Sequence, residues 1–280
     1  EISCSLVGSE MCIRDSLDSD EMKVHFIDVG QGDSIFIELP NTKTMLIDAA
    51  ENEYADRITN YIYSCGYNTL DYVVATHPHS DHIGGMADVI GAFNVENVIL
   101  SPATHTTKTY TNMLKAIDDS GAKVKIGVAG TEIFSDGDLS AVVIAPVTED
   151  YSDLNNSSVM VMLTYGSRKF LFTGDAENGE ENTITADIDC DVLKVGHHGL
   201  SLGTGVGILV AVVGVQAASR QQEHHTQHDA DKPGGYFTHS FHVSCCAPSG
   251  RHPRPPAPDR LPSEQVWASS ACLLYTSDAA

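Results

Sequence analysis

The sequence predicts an α/β chain of the α+β kind, a four-layer αββα sandwich in which two mixed sheets pack face to face beneath outer helices. Two observations lead to this expectation. The chain opens with an antiparallel hairpin and continues through a β-α-β run, which together make one mixed sheet. A second group of short apolar runs follows, separated by Gly137 and Gly166, and these strands require a second sheet.

Each predicted element rests on a local pattern. Strands are expected where short apolar runs are bounded by turn residues, at 23–27, 34–39, 44–48, 72–75, 97–100, 123–126, 132–134, 139–144, 158–165, 169–173 and 191–195. A helix is expected at 54–65, where apolar residues recur at helical spacing, and further helices are expected at 86–93, 110–120 and, weakly, 177–185. Gly66 and Gly121 end two of these helices, and Gly179 weakens the last one.

Four metal-binding side chains fall within six residues, directly after the strand predicted at 72–75. They are His77, His79, Asp81 and His82. Neutral imidazoles and carboxylates suit zinc, iron or manganese, and a short loop can aim alternate side chains at two neighbouring ions. The alternative is a polar loop whose histidines satisfy backbone groups. The density of ligands and the position after a strand favour a metal site.

Two further polar clusters follow apolar strands. Asp175 comes after the strand predicted at 169–173, and His197 and His198 follow the strand at 191–195. Taken alone, such an aspartate is typical of a turn, and a histidine pair is typical of a solvated surface. Because three polar clusters at strand ends can converge on one edge of a sandwich, we expect them to form one site with the histidine loop.

The composition excludes several functions. The formal net charge is −22, which repels polyanions, so we expect no strong basic patch for DNA binding. Of the seven cysteines, Cys65 and Cys190 lie in the predicted domain, so no disulfide framework is indicated. The apolar run from Gly205 to Ala218 is too short and too rich in glycine to cross a bilayer, and we expect no transmembrane segment.

The two ends of the chain differ in character from its middle. Residues 1–16 and 272–280 resemble opposite readings of one short DNA adapter and are excluded from the fold prediction. Residues 17–199 form the predicted folded domain. Residues 200–280 are rich in proline and lack periodicity, which indicates a frameshift near 200–204 or a disordered extension. Independent resequencing of the DNA separates these two interpretations.

Five ordered motifs resemble those of a known family. The spacing His-x-His-x-Asp-His in the loop described above resembles the signature of the metallo-β-lactamase superfamily. The motifs lie at residues 26–34, 76–85, 155–159, 172–175 and 194–199. Together they are similar to the C-terminal hydrolase domain of ComEC-type competence proteins and its stand-alone relatives. The resemblance covers residues 22–199 and implies the metallo-β-lactamase sandwich.

The resemblance also implies roles for individual residues. It implies two divalent ions, with zinc expected and manganese or iron as alternatives. His77 and His79 would bind the first ion, Asp81 and His82 the second, and Asp175 would bridge them. Catalytic roles are expected for Asp81, His197 and His198, with His198 also a candidate ligand. Asp28, Asp33 and Asn156 would support the ligands through hydrogen bonds.

The sequence departs from the family at two places. Many superfamily members carry another histidine where this chain has Asn155-Asn156-x-Ser158, which predicts weaker binding of the first ion. The family continues after His198-Gly199 with a further strand and a Gly-His-Pro-His segment, and residues from Leu200 onward lack both. We therefore expect a sandwich truncated at its C-terminal end. An inactive chain is the alternative to an active hydrolase.

The family resemblance implies a dinuclear hydrolase in which hydroxide held by the ions attacks an ester phosphorus or a carbonyl carbon. The leading hypothesis is a phosphodiesterase or nuclease-like enzyme acting on a small-molecule or nucleic-acid phosphodiester. The alternatives are a lactonase or β-lactamase-type carbonyl hydrolase, and a non-catalytic DNA-uptake module. An extracytoplasmic or membrane-associated location is implied by the family, and a cytoplasmic location is the alternative.

Overall fold

The computed structural model describes residues 21–148, 151–197, 209–213, 240–246 and 271–275. Within these residues two seven-stranded sheets lie face to face, as the sequence predicts. Fully buried side chains from both sheets fill the space between them, among them Phe26, Val74, Val161 and Phe170. Side chains alternate along these strands, so one face of each strand faces this shared core.

The first sheet combines an antiparallel opening with a parallel continuation, as predicted. Its strands are β1 (Glu21–Ile27), β2 (Ile35–Glu38), β3 (Thr44–Ile47), β4 (Thr69–Ala75), β5 (Asn94–Leu100) and β6 (Lys123–Ile126). Strands β1, β2 and β3 pair antiparallel, and β3 to β6 pair parallel. The carboxyl ends of β3 and β4 therefore meet at one edge of the sheet.

The helices cover the outer face of the first sheet. They are α1 (Ala55–Ser64), α2 (Ser80–Ile83), α3 (Met86–Ala92) and α4 (Lys108–Ser120). A fifth short helix, α5 (Asn178–Glu181), comes later in the chain, between two strands of the second sheet. A second buried cluster joins α1, α3 and α4 to the sheet through residues such as Ile58, Val89 and Met113. The short helix α2 was not predicted, because one turn is too short to show helical periodicity. None of the helices in the described part of the chain has the length and apolar character needed to cross a membrane.

The second sheet is mainly antiparallel. Its strands are β7 (Glu132–Asp136), β8 (Leu139–Ala145), β9 (Met160–Tyr165), β10 (Arg168–Phe172) and β11 (Val192–Lys194). Strands β7 to β10 pair antiparallel in sequence order, and β11 pairs parallel to β10. Because β10 and β11 are parallel, the residues that follow both strands emerge at the same edge.

Three segments beyond residue 199 are strands, where the sequence led us to expect no regular structure. They are β12 (Leu209–Val213), β13 (Ser240–Cys246) and β14 (Ala271–Tyr275). Strand β13 pairs with β1, β12 pairs with β11, and β14 pairs with β12. Backbone hydrogen bonds can extend an open sheet edge with little demand on sequence. Residues 1–20 and the other residues from 198 onward lie outside the described residues, and the frameshift interpretation stays a prediction.

The loops at one edge of the first sheet are joined by backbone hydrogen bonds. The N–H of Asp33 donates to the carbonyl of Asp81 (3.2 Å), and the N–H of Ala49 donates to the carbonyl of His82 (2.8 Å). Gly32 has φ +109°, and a Cβ placed there would lie 2.2 Å from the Asp81 carbonyl oxygen. The histidine loop is therefore held against the loop between β1 and β2 at a distance that only glycine allows.

Gly32→Ala is expected to disrupt this approach. The matched control is Gly121→Ala, which has φ +71° and open space around its Cβ position. The control isolates the cost of a left-handed backbone, about 1–2 kcal/mol. We expect Gly32→Ala to lower the free energy of unfolding by at least about 2 kcal/mol more than Gly121→Ala does, because the new Cβ collides with the backbone of Asp81. Urea unfolding of both variants measures the difference, and equal losses would contradict the proposed contact.

Candidate metal centre

Three buried side chains converge at the edge where β4 and β10 end. The possible ligand atoms of His77, His82 and Asp175 all lie within 4.8 Å of one another. The Nε2 atom of His82 is 3.2 Å from Oδ2 of Asp175, and the His77 and His82 rings are 4.2 Å apart between centroids. The structure thus brings together two of the polar clusters that the sequence singled out, although they are almost 100 residues apart.

The two remaining members of the histidine loop lie at the rim of this cluster. Nδ1 of His79 is 3.0 Å from Nε2 of His77, and Oδ2 of Asp81 is 3.9 Å from Nε2 of His82. Both side chains are half-buried. Helix α2 begins one residue after His79, and its single turn directs His82 inward while Asp81 stays closer to solvent. Five of the six predicted ligands therefore lie in one cluster, and the sixth, His198, lies outside the described residues.

Asp48 orients both buried histidines of this cluster. Its carboxylate accepts a hydrogen bond from Nδ1 of His82 (2.7 Å), and it also accepts from the N–H (2.9 Å) and the hydroxyl (2.7 Å) of Thr76. The Thr76 oxygen is in turn 3.1 Å from Nδ1 of His77. Since the Thr76 proton is directed to Asp48, Nδ1 of His77 donates to Thr76. Both histidines then turn Nε2 toward the centre of the cluster, as metal-binding histidines commonly do.

The protonation of the two histidines differs because their neighbours differ. Burial, with a smaller effect of nearby His82, holds the pKa of His77 well below its usual range, so His77 is neutral and keeps a lone pair for a metal. Burial alone would also lower the pKa of His82, but the charges of Asp48 and Asp175 outweigh it and raise that pKa to about 10. A metal that binds Nε2 of His82 must therefore displace a proton.

A buried lysine balances the carboxylates of the cluster. The Lys194 ammonium group pairs with Asp33, lies 3.5 Å from Oδ1 of Asp175 and donates to the carbonyl of Gly174 (2.6 Å). Lys194 is fully buried. Burial lowers the pKa of Lys194, but Asp33 and Asp175 outweigh that effect and raise it, so the lysine stays charged. Lys194 thus fixes the side of Asp175 that faces away from the histidines.

Ser158 lies in the segment where the family resemblance implies another histidine, and it contacts two predicted ligands. Its hydroxyl oxygen is 3.4 Å from Nδ1 of His77 and accepts a hydrogen bond from the N–H of Asp175 (3.1 Å). Gly174 packs against this serine, because a Cβ at Gly174 would lie 3.0 Å from the Cβ of Ser158. Ser158 therefore positions two predicted ligands, and its small side chain leaves the first ion with fewer nitrogen donors than a histidine would give.

The two asparagines before Ser158 hold the loop that follows Asp175. Oδ1 of Asn156 accepts hydrogen bonds from the N–H groups of Glu177 and Glu180, both at 3.2 Å. Nδ2 of Asn155 donates to Oε1 of Glu177 (3.0 Å). Asn156 is predicted to support the ligands. Its hydrogen bonds hold backbone N–H groups that follow Asp175, so this support is indirect.

The remaining predicted residues lie further from the cluster or outside the described residues. Nδ1 of His197 is 2.8 Å from Oε1 of Glu177, and His197 is half-exposed with φ +48°. His198 lies outside the described residues. The carboxylate of Asp28 accepts from the N–H of Gly30 (3.1 Å), a local turn contact. Asp48 makes the hydrogen bond to His82, and the supporting role expected of Asp28 stays a prediction.

The cluster fits divalent metal ions. Its donors are imidazole nitrogens and carboxylate oxygens, the set that zinc, manganese and iron accept. Asp33, Asp48 and Asp175 are fully buried acids, against the two buried cations His82 and Lys194. Positive ions bound at the cluster would further offset the negative charge of these acids and of half-buried Asp81.

Sequence reasoning missed Asp48 and Lys194. The sequence predicts Asp48 as the last residue of a strand, and it predicts no individual role for Lys194, which lies in a family motif. Each carries a signal that could have been used. Both are charged residues at the ends of otherwise apolar strands, β3 and β11, which is the position of the predicted ligands themselves. A lone charge at a strand end is also common on surfaces, so the signal identifies candidates without assigning a partner.

Asp48→Asn should weaken metal binding while leaving the ligands in place. An amide keeps the shape but cannot accept from three donors, so both histidines lose their fixed orientation. We expect metal affinity to fall about 10- to 100-fold, as is typical when a partner of a ligating histidine is removed. Isothermal titration with zinc measures this. Asp118→Asn, on the exposed face of α4, is the control and should bind as the unmodified chain does.

Lys194→Met should destabilise the metal-free protein. Removing the ammonium group leaves Asp33 and Asp175 buried without a compensating charge, which is expected to cost about 3–5 kcal/mol of unfolding free energy. Lys169→Met is the control, because Lys169 pairs with the exposed Asp187 and should lose less than about 1 kcal/mol. Urea unfolding in the presence of chelator measures both. Equal losses in the two variants would show that Lys194 does not balance the cluster.

The comparisons with known proteins agree with this geometry. The family model described as the metallo-beta-lactamase superfamily matches residues 27–206. ComE operon protein 3 of Bacillus subtilis (strain 168) is 27% identical over 233 residues, which cover 75% of this chain and 30% of that protein. The chain thus spans less than a third of the length of this relative.

Solved structures of similar architecture include two metallo-β-lactamases. One, a motif variant from Cronobacter sakazakii, is 17% identical with a TM-score of 0.42, covering 64% of this chain and 79% of the other. The other, SMB-1, is 14% identical with a TM-score of 0.44, covering 63% and 77%. The family match extends over well over half of the chain and includes the histidine loop, the Asp175 strand end and Lys194. The chain therefore belongs to the metallo-β-lactamase superfamily.

Proposed function

We propose that this chain is the catalytic domain of a metal-dependent phosphodiesterase of the nuclease type. Its family makes it a metallo-β-lactamase-fold hydrolase and implies that it binds divalent metals. The observation that carries the proposal is the buried cluster of His77, His82 and Asp175, whose histidines are both oriented through Asp48. Such an arrangement presents nitrogen and oxygen donors to ions at one edge of the sandwich.

The ligand roles follow from the cluster. His77 and His79 would hold the first ion, Asp81 and His82 the second, and Asp175 would contribute to both. Two divalent ions, when bound, supply a water activated for attack and positive charge for a developing oxyanion. Zinc is the proposed metal, with manganese or iron as alternatives, because the donor set contains no thiolate that would select zinc alone.

The protein's own groups orient these parts. Asp48 and Thr76 fix the tautomers of the histidines, while Lys194 and Ser158 hold Asp175 from two sides. A fixed carboxylate needs little reorganisation when charge develops during the reaction, which lowers the barrier. The expected role of His197 or His198 is to bind a substrate phosphate or to protonate the leaving oxygen. Gly196 supports this placement for His197, since it packs against the Ala176 carbonyl next to Asp175.

A phosphodiester is the proposed substrate because of the chain's relatives. The motifs resemble those of ComEC-type competence proteins, and ComE operon protein 3 is a sequence relative. Both support a task related to nucleic acid and a competence-related location, extracytoplasmic or membrane-associated. The net charge of −22 argues against tight binding of a polyanion over the general surface. Recognition would therefore depend on the metal centre, which favours short or flexible substrates that can reach the edge of the sandwich.

The proposal predicts phosphodiesterase turnover that depends on Asp175. The chain, loaded with zinc or manganese, should hydrolyse bis-p-nitrophenyl phosphate faster than a lactone or a cephalosporin. Asp175→Asn should lower this rate by more than about 100-fold, because loss of a direct ligand exceeds the 10- to 100-fold cost of losing an outer partner. Asp187→Asn, at an exposed ion pair, is the control and should keep full turnover.

Each alternative gives a different result in the same assay. Faster turnover of the lactone or the cephalosporin would replace the phosphodiester with a carbonyl substrate. Metal binding with no turnover of any substrate would support a non-catalytic DNA-uptake module. Circular dichroism of Asp175→Asn separates loss of chemistry from loss of folding, since the amide has the size of the carboxylate. Undiminished turnover in a folded Asp175→Asn variant would remove Asp175 from the mechanism.

A further inference from the structure

A second group of metal-binding side chains lies under the end of α1. The possible ligand atoms of His25, Glu38 and Cys65 all lie within 4.8 Å of one another. His25 is on β1 opposite Phe36 of β2, and Glu38 lies two residues further along β2 on the same face. Cys65 follows the last residue of α1, which packs on this face. A hairpin and a helix end therefore bring one nitrogen, one oxygen and one sulfur donor together.

The group is buried and its members already touch. The His25 side chain is 2% exposed and that of Glu38 is 17% exposed, with Nε2 of His25 2.9 Å from Oε1 of Glu38. Cys65 is half-buried and is not in a disulfide among the described residues. An ion entering from the Cys65 side would therefore meet all three donors within a small volume.

Two tyrosines orient the nitrogen and oxygen donors. The Tyr61 hydroxyl is 3.0 Å from Nδ1 of His25, and the Tyr67 hydroxyl donates to Oε2 of Glu38 (2.8 Å). The tyrosines thus bind Nδ1 of His25 and Oε2 of Glu38, while Nε2 of His25 and Oε1 of Glu38 contact each other. Outer partners of this kind fix the orientation of metal ligands in known sites.

Glu38 is ionised in this environment. Burial alone raises the pKa of Glu38, but the hydrogen bond and charge of His25 outweigh it and the pKa lies below its usual value. A carboxylate ligand must be ionised to bind a metal, so Glu38 is ready to serve as one. The contact between His25 and Glu38 would also hold these side chains together without a metal, so an experiment has to distinguish a metal site from a metal-free contact.

The group and the candidate metal centre lie after strands that end at opposite edges of the first sheet. Glu38 ends β2 and Cys65 follows α1, whereas the histidine loop follows β4. Strand β2 runs antiparallel to β3, and β3 runs parallel to β4, so β2 ends at the edge opposite to the one where β4 ends. The two groups share no residue.

We propose that His25, Glu38 and Cys65 form a separate divalent-metal site that binds zinc or a similarly thiophilic ion and ties the β1–β2 hairpin to the end of α1. Histidine, carboxylate and cysteine are all established zinc ligands, and a water molecule would complete a tetrahedral shell. The thiolate distinguishes this site from the candidate metal centre, whose donors are nitrogen and oxygen alone. The site stands whether or not the phosphodiesterase proposal holds, because it uses none of those residues.

Cobalt substitution tests the site directly, because a cobalt–thiolate bond gives a charge-transfer absorption that nitrogen and oxygen ligands do not. The full-length chain carries seven cysteines, so the five other than Cys65 and Cys190 are first replaced by serine. After chelation, titration with Co²⁺ should produce this absorption, with a final amplitude that corresponds to one cobalt–thiolate site per chain. Cys65→Ala and His25→Gln should lose it. Cys190→Ala and His82→Ala should keep it, since they alter the other thiol and the candidate metal centre.

A second measurement needs no substitution in the cluster. Zinc should slow alkylation of Cys65 by iodoacetamide and leave the rate at Cys190 unchanged, as followed by peptide mass spectrometry. Cys190 serves as the internal reference because it belongs to neither group of candidate ligands. Burial raises its pKa to about 11, so its alkylation is expected to be slow in both conditions. Absence of the thiolate absorption, together with equal alkylation of Cys65 with and without zinc, would leave the ion pair of His25 and Glu38 as a metal-free structural contact and overturn the proposal.

Discussion

The candidate metal centre depends on the three hydrogen bonds that Asp48 accepts. One carboxylate binds the backbone N–H and hydroxyl of Thr76 and Nδ1 of His82, and through Thr76 it also sets the tautomer of His77. Fully buried acids are costly unless they are hydrogen-bonded and paired. The same contacts that make Asp48 tolerable in the interior therefore direct two histidines toward one point, so the stability of this edge and its chemistry have the same origin.

Charge balance gives the centre its second constraint. Three buried acids, Asp33, Asp48 and Asp175, face two buried cations, His82 and Lys194. Removing one partner from such a network lowers the free energy of unfolding by far more than the intact network adds to it. The reason is that the remaining charge is left unpaired in a medium of low dielectric constant. Metal ions fit this arrangement, since they would add positive charge next to the buried acids. Lys194 also limits how far Asp175 can turn away from them.

The fold serves this site by bringing distant strand ends to one edge. Parallel pairing of β3 with β4 and of β10 with β11 places Asp48, the histidine loop, Asp175 and His197 after strands that end together. Glycine at position 32 then lets a neighbouring loop contact the backbone of Asp81. The opposite edge of the first sheet gathers His25, Glu38 and Cys65 by the same geometry of hairpin and helix end, although no motif marks them.

The sequence alone determined the two-sheet sandwich, nearly every strand of residues 21–197 and the ligand-rich loop from His77 to His82, because periodicity and motif spacing are local properties of the chain. It also determined that Asp175 follows a strand. Only the tertiary structure decided that Asp48 orients the histidines, and that Lys194 neutralises Asp33 and Asp175. Those roles arise from pairings between residues 28 to 161 positions apart. Burial and partner identity at such separations depend on how strands register across the sheets, and no local pattern encodes that.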